Sequence, residues 1–201
     1  MIHLHTAPTG NGMKPLILLE ELGLPYTLIP VDLKRGEQKE AAFSRLNPAQ
    51  HIPVIRDDSN DLTLVESGAI LLYLAEKTRR LLPADPRERA LAYHWFFSQI
   101  TNVDPCGRTL ATLDRLGGGS PELTEGPIQT VRRFWQEAQA ALEHADYLGG
   151  SYSIADIVAY TFVRRHGVRF GFEDFGALVR WAERVRTRPA VQAAYGKFPA
   201  S

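Results

Sequence analysis

The stretch that decides the fold is Ala7–Lys14 (APTGNGMK), taken together with His51–Val54 (HIPV) and Val65–Gly68 (VESG). Each of these short segments places turn-forming or helix-capping residues beside an apolar run. They divide the first third of the chain into strands and helices whose ends carry polar groups. Binding and catalytic residues concentrate on such connections, so these three segments are the first candidates for a site.

Around these segments the hydrophobic pattern alternates between strand-like and helix-like runs. We predict strands over residues 2–6, 26–33, 53–56 and 62–64 and helices over residues 13–22, 41–46 and 67–77. The order is β, α, β, α, β, β, α. The last helix is apolar nearly all round, which is typical of a buried helix.

Strand signals stop near Pro83, and the rest of the chain is predicted to be helical. Asp85 is a capping residue, followed by a proline at the first helical position and a glutamate three residues after the cap, so a helix is predicted to run to about Asn102. Ser153 and Asp156 are placed to cap one another at a later helix start. Further helices are predicted over residues 125–144, 177–187 and 190–195. The pattern thus predicts an α/β domain over residues 1–82 and an all-helical domain over residues 86–201.

The composition argues against several classes of partner. The 201 residues carry 23 basic and 23 acidic side chains, so no net charge draws the chain to nucleic acid or to an anionic membrane. No apolar run approaches the roughly 20 residues that span a bilayer, and no signal-peptide pattern follows Met1. We therefore expect a cytoplasmic protein whose partner is a small molecule or another protein.

Signals for bound metals and nucleotides are also lacking. The single cysteine, Cys106, has no second cysteine for a disulfide or a Cys-x-x-Cys motif and is expected to be a small buried hydrophobic residue. His3 and His5 have no third ligand at metal spacing, so no metal site is expected. The glycines around Asn11 do not complete a dinucleotide fingerprint, so no nucleotide is expected.

Four segments carry a family resemblance: Ala7–Gly12, Asn47–Val54, Glu66–Leu74 and Tyr152–Ile157. Together they resemble the glutathione S-transferases, over essentially the full length of the chain. Thr9 and Asn11 followed by Lys14 are most similar to the bacterial Nu class, whose members resemble disulfide-bond oxidoreductases that use glutathione. The resemblance implies a thioredoxin-like α/β domain followed by an all-α domain, reduced or oxidised glutathione as cosubstrate, and a symmetric homodimer.

Thr9 and Asn11 are the residues expected beside the sulfur of glutathione. A hydroxyl or an amide that donates to a thiolate lowers the thiol pKa from about 8.5 and so raises the fraction of nucleophile at neutral pH. The plainer alternative is that both residues only cap the helix near Met13. The two roles are compatible, because the same geometry aims donors at one point. Lys14 could add positive charge, but we expect it to lie in solvent.

Ile52, Pro53, Glu66 and Ser67 are expected to bind the rest of the tripeptide. If the Ile52–Pro53 peptide bond is cis, the backbone of Ile52 is turned outward and can pair with the cysteinyl amide of the ligand. Glu66 and Ser67 begin an apolar helix, whose free amides attract a carboxylate while Glu66 can hold an ammonium group. The alternatives are a strand-edge proline and an ordinary serine cap.

Gln38 and Arg133 are weaker candidates for the glycyl end of glutathione. Gln38 precedes the second helix, where similar proteins contact that end of the ligand. Arg133 or its neighbour Arg132 offers the guanidinium fork that suits a carboxylate. A glutamine in such a polar run is more often simply solvated, a solvated helix face is at least as good an interpretation of the two arginines, and the sequence does not separate Arg132 from Arg133.

Three functions remain open. The favoured one is a glutathione-dependent disulfide oxidoreductase that uses the thiol of bound glutathione, since no cysteine stands near Thr9. A conjugating transferase would need a hydrophobic pocket, for which Trp95, Phe96, Phe97 and Phe134 are candidates, although aromatic residues more often form a core. A noncatalytic binding or scaffold protein is the third possibility, but it would not need the four polar ligand groups of Thr9, Asn11, Glu66 and Ser67 together.

Overall fold

The computed structural model describes residues 1–198, so residues 199–201 of the predicted helical domain lie outside the described part. The chain forms two compact units. One consists of Met1–Arg80 together with the segment that begins at Thr187, and the other of Leu81–Arg186. The first unit is α/β and the second is mostly helical, as the sequence predicts.

The first unit is built on a four-stranded sheet. Its strands are β1 (Ile2–Thr6), β2 (Tyr26–Pro30), β3 (Val54–Asp57) and β4 (Leu62–Val65), in the spatial order β2-β1-β3-β4. β1 and β2 are parallel, whereas the other two pairings are antiparallel. Its helices are α1 (Gly10–Leu22), α2 (Ala41–Leu46) and α3 (Ser67–Thr78). The predicted order of strands and helices is therefore confirmed.

β2 is shorter than predicted, because the chain turns at Asp32. The amide of Val31 still bonds to Thr6 at 2.9 Å, but the Asp32 carboxylate then accepts from the amides of Lys34 and Arg35. Side-chain acceptors of this kind favour a turn over a continued strand.

The register of the sheet gathers several chain segments at one edge. His5 pairs with Val54, and Val54 pairs with Val65. The loop after β1, the residue before β3 and the residue after β4 therefore emerge side by side. Thr6 pairs with Pro30, so the loop after β2 emerges at the same edge.

Helix α1 forms the core of the first unit. Four consecutive residues, Leu16 to Leu19, are fully buried, because α1 packs on β1, on α3 and on a late helix, α9 (Pro189–Gly196). α1 ends at Gly23, which adopts the left-handed conformation at φ 63° and donates to the carbonyl of Glu20, while Leu24 donates to Leu19. This pair of bonds is a Schellman motif, and it explains why glycine follows the helix.

The position of α9 differs from the expected division of the chain. Residues 86–201 were assigned to the helical domain, yet α9 packs on α1 in the first unit. Arg188 donates to both carboxylate oxygens of Glu21, at 2.5 and 2.8 Å. A helical pattern reports that a helix has an apolar face but not which helix covers that face.

The second unit consists of five longer helices. They are α4 (Pro86–Ser98), α5 (Asp104–Arg115), α6 (Pro121–Leu142), α7 (Ile154–His166) and α8 (Gly176–Arg186). A π-helical turn, Gln99–Val103, joins α4 to α5 without a loop. Pro105 has no amide hydrogen to continue a regular α-helix, and a wider turn just before it accommodates the break. The predicted reciprocal cap at α7 is confirmed, since the buried Asp156 accepts from the amide of Ser153 at 2.9 Å.

Across residues 1–198 we find no helix that combines the length and the hydrophobicity needed to cross a membrane.

Candidate functional site

The loop after β1 leads directly into α1, and Thr9 is the residue that caps it. Its side-chain oxygen accepts from the amide of Gly12 at 3.0 Å. The capping alternative for Thr9 is therefore correct. Because the hydroxyl oxygen is the acceptor in this bond, its own proton stays available to donate to a ligand.

The first turn of α1 is pressed against the end of β1. A Cβ atom on Gly12 would lie 2.1 Å from the carbonyl oxygen of Ala7 and 2.6 Å from the hydroxyl of Thr6. The Thr6 hydroxyl donates to the carbonyl of Gly12 at 2.9 Å. Sequence reasoning assigned no role to Thr6 or Gly12, although a glycine in the third position of a helix is a signal of close approach.

Asn11 lies half-exposed on the first turn, and Lys14 follows it three residues later. The expectation that Lys14 lies in solvent is wrong, since only 2% of this residue is exposed. Its ammonium group donates to Oδ1 of Asn11 at 2.8 Å. Residues three apart share one face of a helix, and this spacing allows the contact.

The segment before β3 contains a cis peptide bond between Ile52 and Pro53. Ile52 packs its side chain against the cluster of Val31, Phe43 and Val54. Its backbone amide and carbonyl form no hydrogen bond with other backbone groups of residues 1–198. The loop is held upstream by Asn47, whose amide donates to the carbonyl of His51 at 2.7 Å. Sequence reasoning gave Asn47 no role.

The start of α3 has an unusual backbone. Glu66 has φ 67° and ψ 115°, a conformation that non-glycine residues rarely adopt and that clusters at functional sites. The carbonyl of Glu66 accepts from Ile70 at 2.9 Å, but its exposed side chain caps nothing. Ser67 is the first helical residue and does not cap the helix either, so the ordinary-cap alternative fails. The first amides of α3 stay open to an anion.

Gln38 lies in a short 3-10 turn, Glu37–Lys39, in the loop after β2. Its Oε1 atom is buried, and within residues 1–198 no hydrogen-bond partner meets it. The turn itself is held by the Glu37 carboxylate, which accepts from the amide of Asp32 at 2.7 Å. A buried polar atom without a partner is costly, and a bound ligand is one way to satisfy it.

These observations bring seven of the eight predicted site residues to one edge of the sheet. They are Thr9, Asn11, Gln38, Ile52, Pro53, Glu66 and Ser67, all in segments that the strand register places side by side. The edge offers a hydroxyl, an amide, an unpaired strand segment and a free helix start. Such a set suits an extended, anionic, peptide-like ligand.

The comparisons with known proteins identify the family. The model of the glutathione S-transferase N-terminal domain matches residues 2–76. The chain is 39% identical to the disulfide-bond oxidoreductase YfcG of Escherichia coli strain K12, over 94% of this chain and 92% of that protein. The chain belongs to the glutathione S-transferase family. It is also 32% identical to the disulfide-bond oxidoreductase YghU of the same strain, over 95% of this chain and 73% of that protein.

Solved structures of glutathione transferases share its fold. One from Pseudomonas putida, with one glutathione disulfide bound per subunit, has a TM-score of 0.90 and 30% identity and covers 99% of this chain and 92% of its own. One from Burkholderia graminis, with two glutathione molecules bound per subunit, has a TM-score of 0.90 and 32% identity and covers 100% of this chain and 89% of its own.

Arg132 and Arg133 of this glutathione S-transferase lie in the second unit and differ in their surroundings. Arg132 donates to the carbonyl of Phe170 at 2.8 Å and to Asp174 at 2.9 Å, and it stacks on Phe175. Arg133 is exposed, and we find no hydrogen bond or ion pair for it within residues 1–198. Arg132 is therefore held by contacts in the second unit, whereas Arg133 shows no such contacts across residues 1–198.

Cys106 is poorly suited to act as a nucleophile in this glutathione S-transferase. It lies half-buried in α5, its thiol donates to the carbonyl of Asn102, and burial raises its pKa above the usual range. A raised pKa lowers the thiolate fraction at neutral pH.

Most of the aromatic residues considered for a hydrophobic pocket belong to the core of the second unit. Trp95, Phe96 and Phe134 are buried, whereas Phe97 is 45% exposed. The core alternative is thus correct for three of the four.

Proposed function

We propose that this glutathione S-transferase is a glutathione-dependent disulfide oxidoreductase that uses the thiol of bound glutathione in place of a protein cysteine. One observation carries the proposal: the donors at the starts of α1 and α3 lie at one sheet edge, in a unit whose sequence contains no cysteine. Two similar proteins of Escherichia coli named disulfide-bond oxidoreductases support it.

The residues at this edge fit each part of glutathione. The γ-glutamyl carboxylate accepts from the amides at the start of α3, Ser67 adds a hydroxyl, and the Glu66 carboxylate pairs with the ammonium group. The backbone of Ile52, next to Pro53, pairs with the cysteinyl residue as an added strand would. Gln38 and Arg133 are proposed for the glycyl end, where Arg133 would bind the carboxylate.

Thr9 and Asn11 act on the sulfur. The Thr9 hydroxyl proton and the Asn11 amide hydrogens donate to the thiolate and hold its pKa below the value of about 8.5 for a free thiol. The amides of the first turn of α1 add a positive electrostatic potential, which lowers the pKa of the bound thiol further. More of the bound thiol is then present as the nucleophile at neutral pH.

The reaction is thiol–disulfide exchange in two steps. The thiolate of one glutathione attacks a sulfur of the substrate disulfide, and the second substrate sulfur leaves as a thiolate that takes up a proton. The thiolate of a second glutathione then attacks the glutathione sulfur of the mixed disulfide, and the substrate sulfur that was still bound there leaves and takes up a proton. Two glutathione molecules are oxidised to one glutathione disulfide while one substrate disulfide is reduced to two thiols. The neighbours with two glutathione molecules or one glutathione disulfide bound support a site of this capacity.

The proposal is tested by turnover of hydroxyethyl disulfide with reduced glutathione, coupled to glutathione reductase, beside conjugation of chlorodinitrobenzene by the same preparation. We expect strong disulfide turnover and weak conjugation. The opposite pattern would make the protein a conjugating transferase. Inactivity in both assays, together with no glutathione binding by calorimetry, would leave a scaffold protein.

Two further properties are proposed on the family resemblance. We expect a symmetric homodimer, and a monomeric sedimentation profile would contradict it. We expect the protein in the cytoplasmic fraction of its cells, and recovery from the membrane or secreted fraction would contradict that.

A further inference from the structure

Lys14 is a buried lysine with an identified polar partner. Its ammonium group donates to Oδ1 of Asn11 at 2.8 Å, and only 2% of the residue is exposed. Burying an ammonium group is costly unless polar atoms meet it, so lysine is rarely buried to this extent. The Asn11 oxygen is thus one of the atoms that stabilise Lys14 in this position.

This contact decides which way the Asn11 amide is turned. An ammonium group can only donate, so only the carbonyl end of the amide can face Lys14. The Nδ2 end must then face away from Lys14. Asn11 is half-exposed, and its Nδ2 atom has no hydrogen-bond partner in the part of the chain that the structure describes.

We propose that Lys14 is a positioning residue that holds the Asn11 amide with its N–H2 end toward the sulfur of bound glutathione. The inference rests on the proposed function, in which Asn11 donates to that sulfur. Without Lys14 the side-chain amide of Asn11 can rotate by half a turn. Its carbonyl oxygen then faces the sulfur and disfavours the thiolate form of glutathione. Lys14 thereby supports the reaction through Asn11.

A double-mutant cycle tests this coupling. The wild type, Lys14→Met, Asn11→Ala and the double variant are compared for kcat with reduced glutathione and hydroxyethyl disulfide, for the Kd of reduced glutathione by calorimetry, and for the ultraviolet absorbance of the bound thiolate. Lys34→Met is the matched control, because Lys34 is an exposed lysine in the loop after β2. Circular dichroism checks that each variant is folded.

We expect Lys14→Met to lower kcat about tenfold and to reduce the thiolate absorbance, with the Kd changed by less than about threefold because the other glutathione ligands are intact. In the double variant kcat should fall no more than about twofold below that of Asn11→Ala, since residues that act as one unit are not additive. Lys14→Arg keeps a side chain that only donates and should retain most of the activity. Lys34→Met should match the wild type.

Independent effects of the two substitutions, which multiply in the double variant, would overturn the proposal. Loss of glutathione binding in Lys14→Met would also overturn it, because Lys14 would then maintain the fold rather than position Asn11. Failure of the proposed function gives a different result, namely a wild type that binds glutathione but reduces no disulfide. In that case equal thiolate absorbance in the wild type and Lys14→Met would still overturn the role of Lys14.

Discussion

Replacing Gly12 by alanine is expected to destabilise the first unit and to disable the site. The added Cβ would lie 2.1 Å from the carbonyl oxygen of Ala7 and 2.6 Å from the hydroxyl of Thr6. Both distances are far below a normal van der Waals separation of about 3.5 Å. The Ala7 oxygen belongs to the backbone and cannot rotate away, so the start of α1 must move away from β1.

Three contributions set the expected loss in the free energy of unfolding of Gly12→Ala. Forcing an extra methyl group into a packed site costs about 1–3 kcal/mol. Moving α1 weakens the 2.9 Å bond from Thr6 to Gly12, which contributes about 1 kcal/mol. The higher helix propensity of alanine returns up to about 1 kcal/mol. The net loss is about 2 kcal/mol, or a Tm lower by roughly 6 °C for a chain of this length.

Thermal unfolding by circular dichroism measures this loss, and the coupled disulfide assay measures activity. Activity should fall because Thr9 caps the helix through the amide of Gly12 and shifts with it. Gly196→Ala is the control, since Gly196 ends α9 in the same unit and a Cβ there would meet nothing within 4 Å. A Gly12→Ala variant with wild-type Tm and turnover would refute the close approach of α1 to β1.

Three further perturbations test the site and the fold. Asn11→Ala should cut thiol–disulfide turnover by more than about tenfold in a chain that still folds, because it removes a donor to the thiolate. The Tm should fall only modestly, since the buried ammonium group of Lys14 loses one acceptor; unchanged turnover would remove Asn11 from the site. Ser67→Ala should weaken glutathione binding by calorimetry about fivefold with little change in kcat, because Ser67 is proposed to bind the γ-glutamyl end away from the sulfur; an equal loss in kcat would contradict that placement. Burial alone would raise the pKa of Asp57, but hydrogen bonds led by the one from Lys77 lower this pKa below the usual range. The contribution of Asp57 to the stability of the fold is therefore complete above pH about 4 and is lost as the pH falls toward the lowered pKa. Lys77→Met should cost about 2 kcal/mol at pH 7 and flatten this acid-induced loss in denaturant titrations, and a variant with the wild-type pH profile would contradict it.

The parts of the structure that were predictable from the sequence are those with local causes. Gly23 ends α1, Asp85 caps α4, and Ser153 and Asp156 cap α7, because each acts through its own backbone or through a neighbour three residues away. The strands of the sheet were found by their apolar runs. Thr9 was also identified as a possible cap from its local setting, whereas its candidate role as a donor to sulfur came from the family resemblance.

Features that depend on distant packing were missed. The burial of Lys14 is set by what surrounds α1, although a lysine within a helix that is otherwise apolar on nearly every face was a usable signal. The positive φ of Glu66 was also missed, because a glutamate gives no sequence signal for a backbone conformation that non-glycine residues rarely adopt. The association of α9 with α1 depends on Arg188 and Glu21, which lie 167 positions apart.

The balanced charge of the chain does not prevent it from attracting an anionic ligand, because the electrostatic potential that acts on a bound ligand is set by the groups close to it. β3 runs antiparallel to β1 and to β4, so α1 and α3 both begin at the edge where β1 and β4 end. The amino-terminal ends of two helices, each carrying about half a positive charge, are thus brought to one place. This potential would stabilise the carboxylates and the thiolate of the proposed glutathione ligand even though 23 acidic side chains offset 23 basic ones over the whole chain. Because the sequence of this unit has no cysteine, the proposed reaction requires that the sulfur arrive with the ligand.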